Sequence, residues 1–140
     1  MVEDPRYVDT NIFVYWLGKH PVFGEIAYEW IKEIERSPRG RYVTSSLTLY
    51  EVLVIIAGLM GGSFRDRVLI EGVINSIISL KGLFIEPLKP EDFIRALNLM
   101  EEYSLDYEDS LHLGVAMRAG AKEIVSNDED FDKTPLKRTI

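Results

Sequence analysis

Cysteine is absent from the 140 residues, which removes zinc ribbons, thiol nucleophiles and redox motifs and agrees with a reducing compartment. No apolar run reaches the ~20 residues that a membrane span needs. The longest, Leu47 to Met60, is interrupted by Glu51. The start, MVEDPRY, lacks the basic region and apolar run of a secretory signal. These absences predict a soluble cytoplasmic protein without membrane association. GxxxxGK[ST] and GxGxxG loops are missing too, which argues against nucleotide cradling by a P-loop or a Rossmann turn. With no internal repeat, low-complexity segment or interdomain linker, residues 1–140 read as a single domain, long enough to bury a core unaided by disulfides or structural metals. Basic residues are scarce as well. Sixteen Lys and Arg against 23 Asp and Glu give a net charge of −7, which counts against a bulk electrostatic nucleic-acid binder. A nuclease remains compatible, because cations held among carboxylates reverse the sign that a phosphate meets.

What is present is an alternation of short strand-forming and longer helix-forming stretches. RYVDTNIFVYWL, Arg6 to Leu17, opens as a strand and continues as a buried helix, with Asp9 at the junction. A carboxylate there is either a plain N-cap or a ligand at the carboxyl end of a strand. FGEIAYEWIKEIERS is an amphipathic helix with Phe23, Ile26, Ala27, Trp30, Ile31 and Ile34 on one face. RYVTSS is a second strand, and SLTLYEVLVIIAGLMGG, capped by Ser46, is a helix apolar enough to be buried all round. FRDRVLIEGVINSIISLKG predicts a helix with Val68, Ile70, Val73, Ile74, Ile77 and Ile78 inward, and Leu83 to Ile85 a third strand. PEDFIRALNLMEEYS follows, with Phe93, Ile94, Leu97 and Met100 as its apolar face, then the helix LDYEDSLHLGVAMRAG. Lys122 to Ser126 is a fourth strand, and the tail holds a proline turn and a short last strand. Alternating strands and helices imply a parallel sheet covered on both faces, with every strand exit on one edge.

Carboxylates collect at those exits. Glu51 shares a helical stripe with Leu47, Val54, Ile55 and Gly58, and a buried carboxylate persists only with a partner, a proton or a metal. It is therefore either half of a salt bridge with an arginine from elsewhere or part of a site. By its context it is expected to be the most buried of the four acids Asp9, Glu51, Asp109 and Asp128, and Glu51→Gln to leave the metal-free protein as stable as the native chain or more so. Asp106 and Asp109 have capping-box spacing. Asp109 is too short for the reciprocal role, which makes Asp106 the cap and leaves Asp109 to point into a site. Gly114 in mid-helix asks for a close backbone neighbour. His112 is either a satisfied buried histidine or a support behind the site. Asp128, in SNDED after the fourth strand, is either a polar turn or another ligand. Asp9, Glu51, Asp109 and Asp128 together, without thiols or paired histidines, form a hard-oxygen set suited to Mg2+ or Mn2+, fit to activate water at a phosphodiester. Arg65 and Arg67, after Gly61-Gly62, are solvated surface or phosphate contacts.

The residues YVDTNIF, Glu51 inside SSLTLYEVL, LDYEDSLHLGVA and IVSNDEDF occur in an order that resembles the PIN domain family and, in size, the VapC-type toxin ribonucleases. The resemblance spans nearly the whole chain. It implies a single-domain α/β fold, metal ligation by Asp9, Glu51, Asp109 and Asp128, and support from Thr10 or Asn11 and from Ser126. Asp130 matches a position that is acidic in some relatives. Ser110 and Gly114 depart from the family's commoner alanines. Also implied are an RNA substrate, a homodimer and a small antitoxin. The alternative is a PIN-like module that binds RNA or protein without cutting, against which the retained acids speak.

Overall fold

The structure, a computed structural model, describes residues 4–140. Met1 to Glu3, part of the start read above as no signal, lie outside the described residues. The strands are β1 (Arg6–Val8), β2 (Tyr42–Ser45), β3 (Leu83–Glu86), β4 (Glu123–Val125) and β5 (Lys137–Thr139). The helices are α1 (Thr10–Leu17), α2 (Gly24–Arg36), α3 (Ser46–Leu59), α4 (Arg67–Ile78), α5 (Pro90–Tyr103) and α6 (Tyr107–Arg118), with a 3-10 turn over Glu129–Lys133. The strands form one five-stranded sheet in the order β3-β2-β1-β4-β5, parallel throughout.

Alternation along each strand sends successive side chains to opposite faces. Val8, Tyr42 and Val125 pack with Ile12 and Phe13 of α1, Ile31 and Ile34 of α2, Val52 and Ile56 of α3, and Val73 and Ile77 of α4. Tyr7, Val43 and Ile124 pack on the other side with Leu99 of α5 and Leu113, Val115 and Ala116 of α6. Both faces are covered, as the strand-helix alternation predicts. Each fully buried side chain of this kind contributes about 1.5–3 kcal/mol.

Helix orientations depart from the sequence reading where apolar periodicity is a poor guide. The cap of α3 is Ser45, whose Oγ accepts the Leu47 N–H at 3.0 Å, whereas the Ser46 hydroxyl turns outward to accept the Leu88 N–H. Nor is α3 buried all round: Tyr50, Val54, Ile55 and Leu59 are exposed. A helix apolar at nearly every position carries no period to orient it, and only its packing against α1 and α4 decides which side is inward. On α4, Val73 and Ile77 are buried, but Val68 is 83% exposed and Ile78 is exposed. Ile26 on α2 is exposed as well, and Trp30 only partly buried.

On α5 the inward face is Asp92, Ala96 and Leu99, and the expected Phe93, Ile94 and Leu97 face outward. Asp92 accepts from Arg118 Nε and Nη2 at 3.0 and 2.8 Å and from the Lys89 N–H at 2.8 Å. That fork pins the first turn of α5 to the end of α6, and the i+4 and i+7 positions follow Asp92 inward. The Arg118 guanidinium holds the Asp92 carboxyl below the usual range against the opposing effect of burial. Gly114 has no close backbone neighbour. A Cβ there would meet the Leu99 side chain at 3.5 Å, an ordinary contact.

Candidate active site

The chain runs β1 to β2 to β3 toward one edge, then returns to place β4 on the other side of β1. The crevice beyond the carboxyl ends of β1 and β4 lies at that reversal, the place where open α/β sheets bind ligands. Asp9 follows β1 directly and caps α1, its Oδ1 accepting the Thr10 N–H at 2.8 Å. Its Oδ2 accepts the Ser126 hydroxyl at 2.6 Å. Ser126, fully buried just after β4, also accepts the Asp128 N–H at 3.0 Å. One hydroxyl thus ties the exits of two strands together. Asp9 caps α1 and also lines the crevice.

Asp9, Thr10, Asn11, Glu51, Asp109 and His112 line a crevice of about 250 Å3, with Asp106 and Glu108 at its border. Asp106 caps α6 by accepting the Asp109 N–H at 2.8 Å, as the spacing predicts, and the Asp109 carboxylate makes no hydrogen bond among the described residues. Asp128 caps the 3-10 turn, its Oδ1 accepting the Asp130 N–H at 2.9 Å. Asp109, Asp128 and Asp130 can each offer one oxygen, all within 4.8 Å of one another. Asp130 is exposed and also pairs with Lys133 at 3.5 Å.

The charges are strained together. Burial first, then the Asp106, Asp128 and Asp9 carboxylates, push the Asp109 carboxyl up to about 7. Burial likewise raises Asp9, against the counter-effects of His112, Ser126 and Thr10.

Of the four candidate acids Asp9, not Glu51, is the most buried, and Glu51 holds a different partner from the arginine expected. His112 Nε2 donates to Glu51 Oε1 at 2.5 Å, and the Thr10 hydroxyl donates to the same oxygen at 2.8 Å. The other ring nitrogen of His112 meets the Tyr7 hydroxyl at 2.6 Å. Burial disfavours a charged His112, but the Tyr7 oxygen and the Glu51 and Asp9 carboxylates outweigh it and raise its pKa well above the ordinary value. Sequence reasoning missed Tyr7, which reads only as a strand former. Its link to His112 spans 105 positions and leaves no local signal. Arg65 precedes α4 and Arg67 begins it; neither lines the crevice.

An Asn11 oxygen, Oδ1, is buried without a hydrogen-bond partner among the described residues, and Asn11 lines the same crevice. Together with the carboxylates this is an all-oxygen donor set, which fits Mg2+ or Mn2+ and not a thiolate-seeking metal.

Residues 6–137 match the PIN domain. The chain belongs to the PIN domain family. Comparison with curated proteins gives no match. Among solved structures it is similar to VapC20 of Mycobacterium tuberculosis, described as a sarcin-ricin loop cleaving toxin, with 15% identity and a TM-score of 0.72 over 90% of this chain and 92% of that one. It is also similar to a chain of VapBC2 from Rickettsia felis bound to a DNA fragment from their promoter, at 20% identity and a TM-score of 0.65, covering 96% of each. A toxin-antitoxin complex from Klebsiella pneumoniae gives 21% identity and a TM-score of 0.63 over 94% of this chain and 98% of that one. These likenesses establish the PIN-like fold.

Proposed function

We propose that this protein is a metal-dependent endoribonuclease, hydrolysing RNA phosphodiester bonds in the cytoplasm as the toxin of a toxin-antitoxin pair. The observation that carries the reading is two acidic groups that share Asp109 at the sheet reversal: Asp9, Glu51 and Asp109 line the crevice, Asp109, Asp128 and Asp130 can each offer an oxygen within 4.8 Å of one another, and an orphaned Asn11 oxygen lies in the crevice. Asp9, Glu51, Asp109 and Asp128 would hold Mg2+ or Mn2+, with Asp130, Thr10, Asn11 and Ser126 in support. A divalent cation bound there supplies a lowered pKa for a water and a counter-charge for the phosphodiester oxygens.

The chain's own groups do the rest. Ser126 fixes the Asp9 carboxylate. The Asp109 carboxyl, raised to about 7 in the metal-free state, would hold the cation in its deprotonated form. Arg65 and Arg67 are the proposed phosphate contacts. RNA as substrate and a small antitoxin as partner are supported by what the structural neighbours are described as doing. The exposed apolar faces of α3 and α5 support a homodimer and an antitoxin contact. A PIN-like module that only binds would have no use for so costly a cluster of acids.

Cleavage of a mixed RNA pool with Mn2+ or Mg2+, comparing the native chain with Asp9→Asn, tests the proposal. Cuts that need the metal, leave 5′-phosphate ends and vanish with Asp9→Asn are expected. Metal-independent cutting, or 2′,3′-cyclic phosphate ends made by the RNA's own hydroxyl, would overturn it.

A further inference from the structure

We propose that Tyr7 and His112 are positioning residues that aim Glu51, holding its Oε1 so that Oε2 is the atom left for a divalent cation. The inference rests on the metallonuclease reading above and adds to it two residues that touch no substrate.

The geometry is a chain of buried donors and acceptors ending on the crevice. Tyr7 is fully buried in β1 and His112 is 2% exposed in α6. Their rings meet edge to face with centroids 5.8 Å apart. A carboxylate only accepts, so the short contact from His112 Nε2 to Glu51 Oε1 requires the hydrogen to sit on Nε2. The remaining nitrogen, Nδ1, is then matched by the Tyr7 hydroxyl at 2.6 Å, which fixes the ring's rotation about its Cβ–Cγ axis. Thr10, one residue after Asp9, adds a second donor to the same Oε1. Oε2 has no hydrogen-bond partner among the described residues, while Glu51 lines the crevice.

A histidine present only to satisfy the core would not need to reach an acid. Here the buried pair ends on the one candidate ligand that comes from α3 rather than from a strand exit or α6. A glutamate on that helix has three rotatable bonds and an open crevice beside it. Without the His112 contact its carboxylate would sample several rotamers at an entropic cost to binding. Removing an orienting partner behind a ligand lowers metal affinity by ~10–100-fold.

The probe is Mn2+ itself, its affinity read from the free-ion electron paramagnetic resonance signal in native chain, Tyr7→Phe, His112→Leu and His112→Gln, each also in a Glu51→Ala background. Expected is a loss of about 10-fold or more in His112→Leu, a smaller loss in Tyr7→Phe, and partial recovery in His112→Gln, whose amide N–H still donates. In the Glu51→Ala background these losses should disappear, because the effect runs through Glu51. Thermal melts in EDTA identify any variant that fails to fold, and Tyr7→Phe, which keeps the ring, then carries the test alone. Mn2+ bound equally by native chain and Tyr7→Phe, or losses that persist without Glu51, would overturn the positioning role and leave the nuclease reading standing. A native chain that binds no Mn2+ would overturn both.

Discussion

Asp109→Asn isolates the electrostatic cost of assembling the crevice. In the folded protein burial and the Asp106, Asp128 and Asp9 charges lift the Asp109 carboxyl from 3.8 to about 7. Between those values the folded state keeps a proton that the unfolded chain has released. Stability from this group is therefore full below pH 4, declines as pH rises to about 7, and is flat beyond. At about 1.4 kcal/mol per unit the unscreened penalty is roughly 4 kcal/mol. Asp109 is only half buried, so solvent screening reduces it to about 1–2 kcal/mol. Asparagine has nearly the same shape, and the native carboxylate forms no hydrogen bond to lose. Metal-free Asp109→Asn should therefore match the native chain at pH 4 and exceed it by about 1–2 kcal/mol at pH 8, a shift of roughly 3–8 °C in Tm for a chain of this size. Melts in EDTA across that pH range measure it. Saturating Mn2+ should reverse the order at pH 8, since only the native chain gains the full binding energy. Parallel pH-stability curves for the two metal-free proteins would show that Asp109 is not compressed against its neighbours.

Glu51→Gln, metal-free at pH 7, should cost about 1–2 kcal/mol and not leave stability unchanged as the sequence alone suggests, because Glu51 is paired with His112: the amide oxygen still accepts from His112 and Thr10 but the charge is gone; equal stability in a urea titration would deny the His112 pairing. Ser126→Ala strands Oδ2 of the buried Asp9 and should cost about 1–3 kcal/mol in the same titration, along with most RNA cleavage; a variant as stable and active as native would remove Ser126 from the site. Arg65→Ala with Arg67→Ala should lower the slope of log affinity for single-stranded RNA against log salt by about 1.4, two phosphate contacts at about 0.7 each. An unchanged slope in filter binding would return both arginines to solvated surface.

The fold was legible because its signals are local. Strand-forming triplets such as Arg6–Val8 and Glu123–Val125 are separated by helices with clear starts and stops, and that alternation alone fixes a parallel sheet covered on both faces. Asp9, Glu51 and Asp109 were legible as acids at junctions, and the crevice does bring them together. Orientation was not legible for α3 or α5. An all-apolar helix carries no phase, and Asp92 faces inward on α5 only because Arg118, 26 positions later, reaches it. The same limit hid the Tyr7, His112 and Glu51 contacts. A short polar contact between residues 61 or 105 positions apart has no trace in composition or period.

The hydrogen bond between Asp9 and Ser126 spans 117 positions. A chain made from its amino end exposes Asp9 earlier than Ser126, by 117 residues. Until β4 is inserted beside β1, the Asp9 carboxylate has no Ser126 hydroxyl to orient it and no Asp128 charge beside it. The proposed cutting competence therefore requires synthesis to pass Ser126 and β4 to take its place beside β1. With RNA as the proposed substrate, that timing would keep an unfinished copy from cutting the message and ribosome producing it. Termination before residue 126 has the same effect, because the fragment lacks the hydroxyl that holds Asp9.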